Sequence, residues 1–238
     1  MCGIAGIIDF TGSSAVTDEA CHKMMQAMIR RGPDQSGLYT DGAARMMHTR
    51  LCVVDIENGK QPFICSGKGA YGSLESSGQT ETYADTTETY VLVYNGELYN
   101  TEDIRKELFK AGHCFRGHSD TEVVLHSYIE WGEECVDRFN GIFAFAVWEK
   151  NKERLFVARD RIGVKPFFYS FHQGAFVFAS EIKTILAYPG IRPRVDRQGI
   201  LEIMLIGPGR TPGYGVFQGI EELPPAYCGT YTKGGLSL

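Results

Sequence analysis

The sequence predicts a layered α+β fold, and three observations carry that prediction. Strand-like apolar runs come in pairs flanking short polar turns, helical periodicity is confined to a few segments between them, and nothing alternates as regular βαβ units. A chain of 238 residues with 43% hydrophobic content can also bury a proper core, commonly as one domain.

In chain order, residues 3–9 read as a short buried strand whose glycines mark close backbone approach, with Cys2 at its beginning. Thr17, Asp18 and Glu19 start a helix in which Cys21, Met24, Met25, Met28 and Ile29 form one apolar face; Arg30, Arg31 and then Gly32-Pro33 stop it. A strand pair is expected within residues 43–55. Residues 66–88 are rich in Gly, Ser and Thr without a hydrophobic period, and read as a long surface loop.

Residues 90–94 are a β-branched and aromatic strand ending at the turn signal Asn95-Gly96, and a helix from Thr101 closes at Gly112. Ser119-Asp120-Thr121-Glu122 has the form of a capping box and opens a helix with Val124, Leu125, Tyr128 and Ile129 on its apolar face, ended by Gly132. Residues 142–148 with 154–158, and 167–171 with 175–178, read as two hairpins. Helices follow at 181–187 and 196–204.

Composition narrows the function. A net charge of −5 without a basic run gives no footprint for nucleic acid or an anionic membrane. No apolar run approaches the roughly 20 residues that span a bilayer, and the N-terminus lacks the features of a secretion signal, so a cytoplasmic setting is expected. Seven cysteines without a C-x-x-C pair argue against a disulfide framework and a zinc cluster, and no His/Asp/Glu grouping suggests a metal.

Six of the cysteines read as small buried thiols; Cys2 differs by its position. Before a small Gly3, methionine excision would leave a thiol and a free α-amine on one residue. A thiol of pKa near about 8.5 needs a base to act as a nucleophile, and an α-amine of about 7.7–8.0 supplies one, directly or through a water.

Five blocks in order carry a resemblance: Met1-Cys2-Gly3-Ile4-Ala5-Gly6, Arg31-Gly32-Pro33-Asp34, His48-Thr49-Arg50-Leu51, Tyr94-Asn95-Gly96-Glu97 and Gly117-His118-Ser119-Asp120-Thr121-Glu122. Together they resemble class II, N-terminal-nucleophile glutamine amidotransferase domains. Pro33, Asp137-Arg138-Phe139-Asn140-Gly141, Ala158-Arg159-Asp160-Arg161, Gly163-Val164-Lys165-Pro166 and Ala179-Ser180-Glu181-Ile182-Lys183 are similar to the asparagine synthetase branch.

The resemblance implies a four-layer αββα sandwich of two antiparallel sheets. It also implies a job for each matched residue. Cys2 would form a γ-glutamyl thioester and release ammonia. The Asn95 side chain and the Gly96 N–H would hold the oxyanion, Arg50 the glutamine α-carboxylate, and Asp120, helped by Glu97, the α-ammonium. Leu51, Val53 and Val54 would line the slot. Arg31, Asp34, Arg159, Asp160 and Arg161 read as structural charges, and His48 as an ordinary half-buried histidine. Cys52 departs from the pattern, standing where a small polar residue is more usual.

No Ser-Gly-Gly-x-Asp-Ser type phosphate loop occurs before Leu238. The expected organisation is therefore a single amidotransferase domain, with a core over about 1–210 and a connection over about 211–238 toward an absent synthetase domain supplied in cis or in trans. Glutamine hydrolysis would need no cofactor, with ATP and Mg confined to that missing part; a homodimer is a further expectation. The alternatives are a stand-alone or non-catalytic domain of the same fold acting as a binding or regulatory module, and an N-terminal-nucleophile amide hydrolase for another substrate.

Overall fold

The computed structural model describes residues 1–12, 16–53, 55, 59–68, 70–72, 88–207 and 211–238. Strand β1 (Gly3–Asp9) is buried at every residue, as a central strand covered on both faces must be. Helix α1 (Asp18–Met28) begins where the Thr17 hydroxyl accepts a hydrogen bond from the Ala20 N–H at 3.1 Å. Strands β2 (Gln35–Asp41) and β3 (Ala44–Arg50) then form a hairpin in which Asp41 faces Ala44. The strand pair expected within 43–55 is thus displaced: only its first strand lies there, and its partner precedes it.

Strands β4 (Phe63–Ser66), β5 (Ala70–Gly72) and β6 (Thr89–Leu98) follow. β5 occupies the start of the expected loop at 66–88 and pairs with β4; most of that stretch lies outside the described residues. β6 does not turn at Asn95-Gly96. It runs on to Leu98, with Asn95 paired to Ala144 and Gly96 to Phe143, because a full ladder partner outweighs a local turn preference.

Helices α2 (Thr101–Lys110) and α3 (Asp120–Trp131), a 3₁₀ turn (Gly132–Glu134) and α4 (Cys135–Arg138) come next. At α3 the Ser119 hydroxyl accepts from the Thr121 N–H at 3.2 Å. Glu122 turns instead to the N–H groups of Arg116 and Gly117, so the expected capping box is replaced by a clasp on the preceding loop. The hairpins β7 (Gly141–Glu149) with β8 (Arg154–Arg159), and β9 (Phe168–His172) with β10 (Ala175–Ala179), stand where the apolar pattern put them. Short helices α5 (Ile182–Leu186) and α6 (Arg197–Leu201), the latter continuing into a π-helical turn (Glu202–Ile206), precede β11 (Ile220–Glu222), β12 (Cys228–Thr232) and β13 (Gly235–Ser237).

The strands build two antiparallel sheets, one ordered β11-β9-β10-β1-β3-β2 and the other β13-β12-β8-β7-β6-β4-β5. Residues 220–237, read from sequence as part of a connection, are woven into both. Period-two alternation sorts the side chains into layers. Ile4, Ile8, Met46, Val91, Val93, Trp148 and Phe178 fill the space between the sheets. Ala5, Ile7, Met47 and Val177 face Met24, Met28 and Ile185 of α1 and α5, whereas Leu92, Tyr94, Phe145 and Val147 face Leu108, Val124 and Tyr128 of α2 and α3. The result is the αββα sandwich. At Gly6 an added Cβ would stand 2.3 Å from the Phe178 ring, which stacks on Phe167 at 5.2 Å; only a bare backbone fits beneath that pair.

Candidate active site

Alternation also decides what faces the gap between the sheets at the end where β1 begins. Ile4 and Ile8 point into the gap, and Cys2 continues their series. On the neighbouring β3, Ala44 and Met46 point the same way, and His48 and Arg50 extend that row. From the opposite sheet Val91 and Val93 point back, and Asn95 is next in line. Both β1 and β3 lie against β6, so parity alone turns Cys2, His48, Arg50 and Asn95 toward one space.

Cys2 is partly exposed, with its Sγ 3.9 Å from the Leu51 carbonyl oxygen. Two members of the Arg31-Gly32-Pro33-Asp34 block, read from sequence as structural charges, brace this end of the gap. The Arg31 Nε donates to the Cys2 carbonyl at 2.8 Å, and the Asp34 carboxylate accepts from the Cys52 N–H at 2.7 Å. Gly32 permits the close approach, since a Cβ there would stand 2.3 Å from the Thr49 carbonyl.

Across the gap, Tyr94 is fixed at three atoms. Its N–H donates to Gln61 Oε1 at 2.7 Å, its carbonyl accepts from His48 Nε2 at 3.2 Å, and its hydroxyl donates to Asp120 Oδ2 at 2.7 Å. Gln61 stands in for a ladder partner, because β4 accompanies β6 only as far as Leu92. The N–H groups of Tyr94, Gly96 and Leu98 share the edge of β6 that faces away from β7, as alternation along an antiparallel strand requires. Gln61 takes the first and Asp120 Oδ2 the third, at 3.2 Å. The Gly96 N–H stands between them. A side chain at Gly96 would meet the Ile142 carbonyl at 2.6 Å. Asn95 is 2% exposed, and its side-chain nitrogen has no hydrogen-bond partner among the described residues.

Burial sets the electrostatics. It raises the Asp120 carboxyl above its ordinary range, against the opposing bonds from Tyr94 and Leu98. Burial first, and then the charge of Asp120, push the Tyr94 hydroxyl well up; the charges of Glu97 and Cys2 also reach it. His48 is fully buried, not half-buried, and burial lowers it to about 3. It is therefore a neutral donor to Tyr94.

The remaining candidates are spread more widely. Arg50 is buried, with Nη1 donating to Gln35 Oε1 at 2.9 Å and Nη2 to the Asp55 carbonyl at 2.7 Å. Leu51 and Val53 are exposed beyond the end of β3, as is Glu97 on β6; Val54 lies outside the described residues. Reading the sequence missed Tyr94, Gln61, Arg31 and Asp34 as parts of this constellation. Three of the four lay inside or beside matched blocks; Gln61 carried no local signal. Asp160 and Arg159 do prove structural: the Asp160 carboxylate collects the N–H groups of Ile162, Val164 and Lys165, and Arg159 pairs with Glu222 at 3.0 Å.

A thiol that faces, across the gap, an amide donor without a partner among the described residues is suited to attack on a carbonyl whose oxygen that donor then holds. Among the described residues no group of three or more His, Cys, Asp and Glu side chains is arranged to hold a metal, and no helix is long and apolar enough to cross a membrane.

Known proteins resemble this chain in sequence and in fold. The chain is 50% identical over 238 residues to asparagine synthetase (glutamine-hydrolyzing) 3 of Bacillus subtilis (strain 168), covering 100% of this chain and 36% of that protein. It is 38% identical over 202 residues to putative asparagine synthetase (glutamine-hydrolyzing) 2 of Methanocaldococcus jannaschii, covering 82% of this chain and 36% of that one. The chain thus spans about a third of the length of these relatives. A solved structure of glutamine phosphoribosylpyrophosphate (PRPP) amidotransferase from B. subtilis, complexed with ADP and GMP, has the same fold, with a TM-score of 0.65 at 18% identity over 99% of this chain and 48% of that one. The family described as glutamine amidotransferase domain matches residues 1–80 and 73–238. With that match running from end to end over the same two-sheet sandwich, the chain belongs to the glutamine amidotransferase domain family.

Proposed function

We propose that the chain is the glutaminase half of a glutamine-dependent asparagine synthetase, hydrolysing glutamine to glutamate and ammonia through a thioester on Cys2. The observation that carries this reading is the Asn95 amide, buried and without a hydrogen-bond partner among the described residues, on the strand face opposite Cys2. A buried donor left unpaired costs about 1–3 kcal/mol. An oxyanion formed only during reaction is a partner that would recover it.

On this reading, removal of Met1 frees the Cys2 α-amine, which takes the thiol proton directly or through a water. The sulfur attacks the side-chain carbonyl carbon of glutamine, and the Asn95 amide and Gly96 N–H hold the oxygen as it becomes negative. Collapse expels ammonia, which leaves with a proton from the Cys2 ammonium; water then attacks the thioester and releases glutamate. Arg50 presents a planar fork to the α-carboxylate. Its two bonds to Gln35 and the Asp55 carbonyl mean that the substrate must share or displace them. Asp120, with the Glu97 charge nearby, receives the α-ammonium, and Leu51, Val53 and Val54 flank the entrance.

The acceptor half, an aspartyl-adenylate made with ATP and Mg, belongs to a synthetase part beyond these residues, in a cytoplasmic setting. Met204 and Leu205 in the turn after α6 are 75% and 78% exposed. That apolar ridge favours a covering partner over open water. The test is ammonia release from glutamine by the wild type, Cys2→Ala and a form blocked at its N-terminus, with the mass of the active protein recorded. Activity confined to wild type lacking Met1 is expected; an active protein that retains Met1 would overturn the mechanism.

A further inference from the structure

Cys52 follows Leu51, whose carbonyl oxygen stands 3.9 Å from the Cys2 sulfur, so the fold sets two cysteines side by side at this end of the gap. Gly3 pairs with Thr49, so the register, continued past the strand ends, puts Cys2 opposite Arg50 and makes Cys52 its diagonal neighbour. The Cys2 Sγ already contacts the carbonyl oxygen of Leu51, at 3.9 Å. Since a trans peptide keeps that oxygen within about 3 Å of the following Cα, the sulfur lies within about 7 Å of the Cys52 Cα. A disulfide needs about 4.4–6.8 Å between Cα atoms, so a sulfur already this near the Cys52 backbone leaves only a local shift of that segment to make.

The segment bearing Cys52 can supply that movement, its tie at this residue being a bond from the Cys52 N–H to the Asp34 side chain at 2.7 Å, which can follow a small shift. Beyond Arg50 it belongs to no strand, and Leu51 and Val53 are exposed. Both thiols are partly exposed and free, hence within reach of a soluble oxidant. The buried cysteines are poorer candidates. Burial raises the Cys21 thiol to about 11 and the Cys65 thiol to about 12, which starves them of thiolate at neutral pH, and Cys135 is fully buried.

We infer that Cys2 and Cys52 form a reversible disulfide under peroxide, a modification site that withdraws the nucleophile and protects it from irreversible oxidation. This inference rests on Cys2 being the nucleophile of the proposed glutaminase. The Cys2 thiolate attacks hydrogen peroxide, breaking the O–O bond, so that sulfur becomes a sulfenic acid and the departing hydroxide takes a proton to leave as water. The Cys52 thiolate then displaces hydroxide from that sulfur, forming the S–S bond and, with one more proton, a second water. Two thiols are oxidised and one peroxide reduced. A dithiol reverses the step by exchange, its own sulfurs becoming the disulfide.

The experiment treats the Met1-free protein with hydrogen peroxide and maps its peptides without reduction, with ammonia release measured before oxidation, after it, and after dithiothreitol. A linked peptide containing Cys2 and Cys52 is expected, with loss of nearly all activity and its return on reduction. In Cys52→Ser the starting activity is expected to match wild type, while peroxide carries Cys2 on to sulfinic and sulfonic acids and dithiothreitol no longer restores it. A wild type without the linked peptide, or a Cys52→Ser protein that recovers as fully as wild type, would overturn the proposal. Absence of activity before oxidation would instead count against the glutaminase reading, because the linked peptide is scored by mass alone.

Discussion

The Tyr94 hydroxyl donates to Asp120 Oδ2 across 2.7 Å, tying the middle of a sheet strand to the first residue of a helix. With the Leu98 N–H on the same oxygen, Asp120 is held from two points of β6 that flank Asn95 and Gly96. Tyr94→Phe keeps the buried ring and removes only that donor. A hydrogen bond to a charged group contributes about 1.5–3 kcal/mol, so KM for glutamine should rise about tenfold while kcat changes little. Steady-state ammonia release measures both.

On the proposed reading, the same carboxyl sets an acid limit on substrate capture. Burial raises the Asp120 pKa, so it takes up a proton at a higher pH than an ordinary aspartate, and a neutral acid cannot hold the glutamine ammonium. KM should therefore climb as pH falls, from a pH above the usual value of about 3.9, with kcat at saturating glutamine less affected. Asp120→Asn should show a high KM that no longer responds to acid. A wild-type KM that stays flat down to that pH would contradict this role.

Asn95→Ala should separate catalysis from stability. Losing one oxyanion donor lowers kcat by about 10² to 10³. Yet the amide nitrogen has no partner among the described residues, so its removal relieves a desolvation cost and Tm should hold or rise. Kinetics and thermal unfolding on one preparation test both halves.

Acid stability should follow two buried histidines. His48 and His126 are each lowered to about 3, chiefly by burial. The unfolded chain binds their protons below about 6.5 while the native protein does not, so ΔG of unfolding falls as pH drops from about 6.5 toward 3. The slope approaches about 1.4 kcal/mol per pH unit for each histidine. Urea unfolding between pH 7 and 4 should show it, with a shallower slope in His126→Gln.

Gly6→Ala should destabilise by about 1–3 kcal/mol through overpacking against the Phe178 ring. Gly234→Ala, at a turn where an added Cβ meets only Thr232 Oγ1 at an ordinary 3.5 Å, is the control expected to cost less in a thermal melt.

What the sequence disclosed, and what it withheld, follows the range of each interaction. The hairpins β7–β8 and β9–β10 were legible because their pattern and turns are local. The β2–β3 hairpin has an equally local signal in Asp41-Gly42, but the apolar run after it points to a later pair. Asn95-Gly96 misled as a turn because its partners, Ala144 and Phe143, lie almost fifty residues away. The matched blocks named Cys2, Arg50, Asn95 and Asp120, but not what orients them. Gln61 braces Tyr94 through a side chain that takes the place of a backbone ladder, and neither period nor propensity marks such a substitution. Glu122 looked like half of a capping box and serves the preceding loop instead, since a carboxylate goes to whichever free N–H groups tertiary structure brings near.

The position of β1 in its sheet has a consequence for biosynthesis. The strand behind Cys2 is made well before one of its two flanking partners, β10, whose Ala179 stands opposite Ala5. At roughly 5–20 residues per second, that partner arrives on the order of ten seconds later. Through that interval the nascent strand carries Cys2 with only the β3 side of its ladder available. Pairings this distant in sequence also fold slowly. Joining β1 to β10 is thus a late step for the sheet around Cys2, and it is where chaperone protection would matter most.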